Sequence, residues 1–151
     1  MRSNLVQQLK NFLKNSVSLQ YPTANDLELW FDIIQRNQEF GPYLPAIDDG
    51  WIDSIQSDLA LCAMHPDGQR LSSASARLFY RIIKNHHFVD GNKRSAVLML
   101  FMLLDFNEME IEMNWIEMYD LAKEVASSFQ DSESVIADLS ERFERLLTPL
   151  P

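Results

Sequence analysis

Cysteine is almost absent from these 151 residues: Cys62 stands alone, so no intramolecular disulfide framework of the kind that staples small secreted domains is available. Its neighbours, LALCAM, are apolar with helical spacing, which marks a buried structural thiol rather than a nucleophile. Histidine is scarce too, with three residues, and two of them, His86 and His87, are adjacent. Adjacent side chains on a loop do not converge readily on one ion, which argues against a zinc or dinuclear metal hydrolase. Long apolar runs are also missing. The longest, residues 96–104, has nine members, far short of the roughly 20 that a membrane-spanning helix needs. The first residues show no apolar leader core, so the sequence is expected to be cytoplasmic with no membrane partner. A net charge of −9 disfavours nucleic acid as a partner, because binding the phosphate backbone needs a basic surface.

What is present fits one globular domain: 46% hydrophobic and 23% charged residues over a length that can bury a core. Glycine-rich and strand-rich stretches and internal repeats are lacking, and apolar residues recur at helical spacing, so the fold class is all-α with about seven helices. Residues 1–18 read as a short helix through Leu5, Leu9, Phe12 and Leu13, a capping segment or a dimer contact. Thr23 offers an N-cap for a helix to about Gln38. Residues 39–50 hold two of the four glycines and two of the six prolines and form a loop. Helices follow over 51–64 and 72–85, separated by a turn in which His65 is expected to be exposed and without a role. Residues 95–106 are apolar at almost every position and should be buried all round. Residues 107–113 alternate acidic and apolar side chains like a short strand. Asn114 and Glu117 form a capping box for a helix to about Phe129. A last helix from Asp131 or Ser132 should run until Pro149.

Charge is unevenly placed. Residues 69–95 carry Arg70, Arg77, Arg81, Lys84, Lys93 and Arg94 against the single acid Asp90, which leaves seven bases and 21 acids elsewhere. Field focusing at such a site steers an anionic ligand. Arg77, Arg81 and Lys84 lie at i, i+4 and i+7, either the solvated stripe of one helix or a docking face for an acidic partner segment.

The stretch HHFVDGNKR, His86 to Arg94, has chemistry that no core requires. A helix start carries unpaired N–H groups and partial positive charge, which disfavours cations. Lys93 and Arg94 nevertheless stand there. They make sense if a phosphate or polyphosphate shares the position, held by the amides of Gly91, Asn92 and Lys93 and by both cationic side chains. Gly91 lets the backbone approach closely. Asp90 would repel a bare phosphate and so points to Mg²⁺ bridging phosphate oxygens. His86, with an ordinary pKa of about 6.5, can take a proton from an attacking hydroxyl. Phe88 is the expected apolar pin of the loop.

His86, Phe88, Asp90, Gly91, Asn92, Lys93 and Arg94 match the signature H-x-F-x-(D/E)-(A/G)-N-(G/K)-R, and the chain thereby resembles the Fic/Doc, or death-on-curing, family over roughly residues 23–129. The resemblance implies a single Fic-type helical domain, residues 23–151, behind an N-terminal extension, 1–22. It implies an ATP- and Mg²⁺-using transferase that modifies a protein hydroxyl. His86 would be catalytic, Asp90 the metal ligand, and Gly91, Asn92, Lys93 and Arg94 the nucleotide-binding residues. A flap in such proteins lays the target beside the site, which puts residues 43–47 forward, although an ordinary connecting loop fits them equally.

Two departures separate the branches of that family. AMP-transferring members usually have Gly at the Lys93 position and a second Arg at the Val97 position. Lys without the second Arg is the Doc pattern, in toxins that move the terminal phosphate of ATP to a translation elongation factor. Gly91, where Doc has Ala, leans the other way. The pattern favours phosphate transfer, with AMP transfer as the first alternative and a non-catalytic nucleotide- or partner-binding module as the second. The inhibitory motif of many Fic proteins, (S/T)-x-x-x-E-(G/N), has one near match, Ser140 to Glu144, followed by Arg145. Restraint is therefore expected from a separate antitoxin protein.

Overall fold

Helix α3 (Leu71–Asn85) is the element around which the others are arranged. It packs against α2 (Trp51–Met64), α4 (Asn92–Phe106), α5 (Trp115–Ser127) and α6 (Ser132–Leu146). Residues 71–79 are all buried, followed by Ile82 and Ile83. The run SSASA at 72–76 makes this possible, because small side chains let neighbouring helices come close. The description rests on a computed structural model and covers residues 19–36, 51–66, 70–85 and 92–151. Among these residues there are six helices, α1 being Ala24–Arg36, and one two-stranded sheet. The expected helix over 1–18 and the expected flap at 43–47 lie outside the described residues.

Local chemistry sets the helix starts. At α1, Thr23 Oγ1 accepts from the Asp26 amide at 3.3 Å, and the Asp26 carboxylate accepts from the Thr23 amide at 2.8 Å. This is a capping box with Asp in the place of Glu. At α5 the expected box is present: Asn114 Oδ1 accepts from Glu117 N at 2.8 Å, and Glu117 Oε1 accepts from Asn114 N at 3.2 Å. Asp131 caps α6 by accepting from the Ser134 amide at 3.1 Å. Helix α2 has the expected bounds, with Ile55, Leu59 and Cys62 on its buried face.

Three expectations need correction. Helix α4 is buried all round only from Ser95 to Leu100; farther on, Leu103 and Leu104 stay in the core while Phe101 and Met102 are half-buried and Asp105 and Phe106 exposed, so one face of its second half reaches solvent. The last helix stops at Leu146, where the Leu147 amide closes on the Phe143 carbonyl and the backbone becomes extended. Leu147–Pro149 then forms β2, antiparallel to β1 (Met109–Ile111), with Ile111 opposite Leu147. Thr148 precedes a proline and so favours extended geometry. The turn into β1 holds Glu108 at φ 58°, and the Asn107 side chain ties this turn to Gln20.

The third correction concerns the basic residues of α3, which are neither a solvated stripe nor free for a partner. Arg77, only 9% exposed, makes a two-pronged ion pair with Glu133 at 2.9 and 3.1 Å, and its Nη2 lies 3.0 Å from Nε2 of His65. His65 is therefore half-buried and structural, not an idle turn residue. Arg81 donates from Nε to Asp58 at 2.8 Å. Lys84 Nζ donates to the carbonyls of Ser128 at 3.1 Å and Ala126 at 3.4 Å, closing the open end of α5.

The apolar residues of the six helices and both strands form one core. Phe79 and Phe143, both fully buried, meet edge to face at 5.9 Å and join α3 to α6. Replacing Phe143 with Ala should cost about 3–5 kcal/mol, measured by denaturant unfolding; a loss under about 1 kcal/mol would remove this contact from the core. The Arg77 guanidinium holds the Glu133 carboxyl below its ordinary value of 4.5, first through the hydrogen bond. That depressed pKa stabilises the fold above pH 4.5 and loses its effect as pH falls through the lowered value. The stability gap between the parent and Glu133→Gln should be flat at neutral pH and close on acidification; a gap that widened on acidification would contradict the pairing.

Candidate active site

Two helices bracket the HHFVDGNKR stretch, α3 ending at Asn85 and α4 beginning at Asn92. His86, Phe88, Asp90 and Gly91, together with His87 and Val89, lie outside the described residues, and Asn92, Lys93 and Arg94 are placed. The site can therefore be built from its two ends.

The α3 end is anchored on two sides. Asp58, on α2 and 3% exposed, accepts from Arg81 Nε at 2.8 Å and receives Asn85 Nδ2 on both oxygens at 3.1 Å. Lys84 fastens the same turn to the end of α5. The residue before His86 is thus tied by its own side chain to a buried carboxylate of another helix.

The α4 end presents Asn92, Lys93 and Arg94 in the first turn, each half-buried, and Ser95 behind them fully buried. No acidic residue stands in that turn. The partial positive charge at the start of a 15-residue helix thus coincides with two cationic side chains and an amide side chain. Such a donor set suits a polyphosphate. One turn farther on, Val97 is 0% exposed and packed in the core, so this position presents no cation to a phosphate.

Other candidates separate from this site. Burial pushes the Cys62 thiol up to about 11, outweighing the opposing pull of Arg81 and Arg77; it stays protonated at neutral pH and is no nucleophile. Burial likewise raises the Tyr21 hydroxyl and keeps it protonated. Ser140, the start of the near match to the inhibitory motif, sits 3.0 Å from Ser73 Oγ, about 18 Å along α3 from Asn85 at 1.5 Å per residue. Ser140 and Glu144 line a cleft with Arg70 and Arg145 at the far end of the helix. Among the described residues no group of three His, Cys, Asp or Glu could hold a metal ion, and no helix is long and apolar enough to cross a membrane.

The model of the Fic/DOC family matches residues 24–104, more than half of the chain. The chain belongs to the Fic/DOC family. Its members are protein modifiers that use nucleotide substrates. The match stops inside α4 rather than near Phe129, so α5, α6 and the sheet lie beyond it, although they share the core with α3. No curated protein matches the sequence.

Sequence reasoning missed Asp58. Its signal was present: an acid at i+3 from Ile55 and one position before Leu59, on the face that α2 buries. Replacing Lys93 with Ala should weaken binding of a nucleoside triphosphate by about tenfold or more, measured by calorimetric titration; an unchanged dissociation constant would remove Lys93 from the site.

Proposed function

We propose that this protein is a Doc-type protein phosphotransferase that moves the terminal phosphate of ATP to a hydroxyl of a cytoplasmic protein such as a translation elongation factor. The observation that carries the reading is the first turn of α4, where Asn92, Lys93 and Arg94 stand without an acidic residue at the positive end of a buried helix. Lys93 in place of Gly, and the burial of Val97 where AMP-transferring members place Arg, support phosphate over AMP. Gly91 speaks for AMP transfer, which is the second reading.

In the proposed mechanism the phosphates of ATP lie on residues 91–94. Asn92, Lys93 and Arg94 donate to phosphate oxygens and stabilise the charge that develops there. Asp90, two residues before α4, would be the carboxylate that holds Mg²⁺, and the ion would supply neutralisation of phosphate charge. His86 accepts the proton of a Ser, Thr or Tyr hydroxyl. The hydroxyl oxygen bonds to the γ-phosphorus, the bond from that phosphorus to the β–γ bridging oxygen breaks, and ADP leaves. Catalysis is mostly positioning and electrostatics.

We assign restraint to a separate antitoxin polypeptide. The near match at Ser140 to Glu144 lies at the far end of α3, and the partner Arg used by an inhibitory Glu is replaced by the buried Val97. The test is His86→Ala. It should lower transfer to an acceptor in a cell extract by about a hundredfold or more, while ATP binding followed by calorimetry stays at the parent value. Undiminished transfer would sink the role of His86, and retained toxicity of the variant in cells would favour a non-catalytic binding module.

A further inference from the structure

The least expected side chain in the molecule is Asp58. A carboxylate this deep costs free energy unless it is paired and hydrogen-bonded, and an apolar residue would pack the same face of α2 beside Ile55, Leu59 and Cys62 without that cost. It accepts hydrogen bonds from two side chains in the last five residues of α3: Arg81, whose side chain is 31% exposed, and Asn85, the final residue. Helix ends fray unless something holds them. Here the buried carboxylate receives two donors from one terminal turn, while Lys84 ties the same turn to the carbonyls of Ala126 and Ser128.

We propose that Asp58 is a positioning residue: its bonds to Arg81 and Asn85 clamp the last turn of α3 and fix the direction in which the chain leaves the helix, one residue before His86. The proposal rests on the reading of His86 as the proton acceptor. Displacing a reacting group by about 1 Å can cost a hundredfold in rate, so a base carried directly after a helix end needs that end held. The clamp acts on the chemical step and leaves the α4 phosphate site alone.

The test uses Asp58→Asn and the gentler Asn85→Ala, whose site is exposed and whose loss does not threaten the core. Glu133→Gln serves as a control, removing an ionic contact from another part of α3. Two quantities are read: amide exchange over residues 82–85, and steady-state transfer to the acceptor with ATP and Mg²⁺. Both clamp variants should raise exchange in that turn by about tenfold or more. They should also lower kcat by about tenfold or more, with KM for ATP within about twofold of the parent. Glu133→Gln should do neither. Unchanged exchange in the last turn, an unchanged kcat, or a loss of turnover shared equally by the control would overturn the proposal. Failure of the parent protein to transfer any group counts against the reading of function instead, and the exchange measurement then decides the clamp alone.

Discussion

Burial of α3 on every side from Leu71 to Phe79 is the constraint from which the rest of the structure follows. A helix that touches four others can have little polar surface, yet this one carries Arg77, Arg81 and Lys84. Each charge had to find a partner within the fold, and the partners are what tie α2, α5 and α6 to it: Asp58, the carbonyls of Ala126 and Ser128, and Glu133. Removing the more exposed member of such a pair leaves the buried one, Arg77 or Asp58, desolvated with less compensation. The α3 cations, which the sequence offers as either a solvated stripe or a docking face, are paired within the fold instead.

Both helix ends that flank the motif are held by that arrangement. The motif stretch joins the anchored end of α3 to the first turn of α4, and α4 is locked in the core from Ser95 to Leu100. The α4 end supplies fixed dipoles and cations where a polyphosphate would sit, and fixed dipoles need no reorganisation when charge develops. The family model runs from the start of α1 into α4, over residues 24–104, and so contains both helix ends.

Much of this was legible before the fold was described, where the determinants are local. The capping box of Asn114 and Glu117, the bounds of α2 and the alternation at 109–111 rest on residues within a few positions of one another. The motif that carries family membership is likewise contiguous. What stayed hidden depends on distant pairs. Arg77 meets Glu133 and Asn85 meets Asp58 across separations of 56 and 27 residues, and no spacing rule along α3 announces them. β2 was hidden for the same reason, since Leu147 to Pro149 become a strand only because residues 109–111 offer an edge. Val97 was read as a departure from a pattern, and the core explains why it is apolar.

The claim at the centre of this account is the choice of phosphorus that is attacked. It is tested most directly by incubating the purified protein and a cell extract with Mg²⁺ and ATP labelled at either the γ- or the α-phosphate. Label on the acceptor protein is then followed together with the released nucleotide. γ-Label is expected to move to the acceptor while α-label leaves as ADP. Transfer of α-label to the acceptor, with pyrophosphate released, would contradict it and place the protein among the AMP-transferring members of the family.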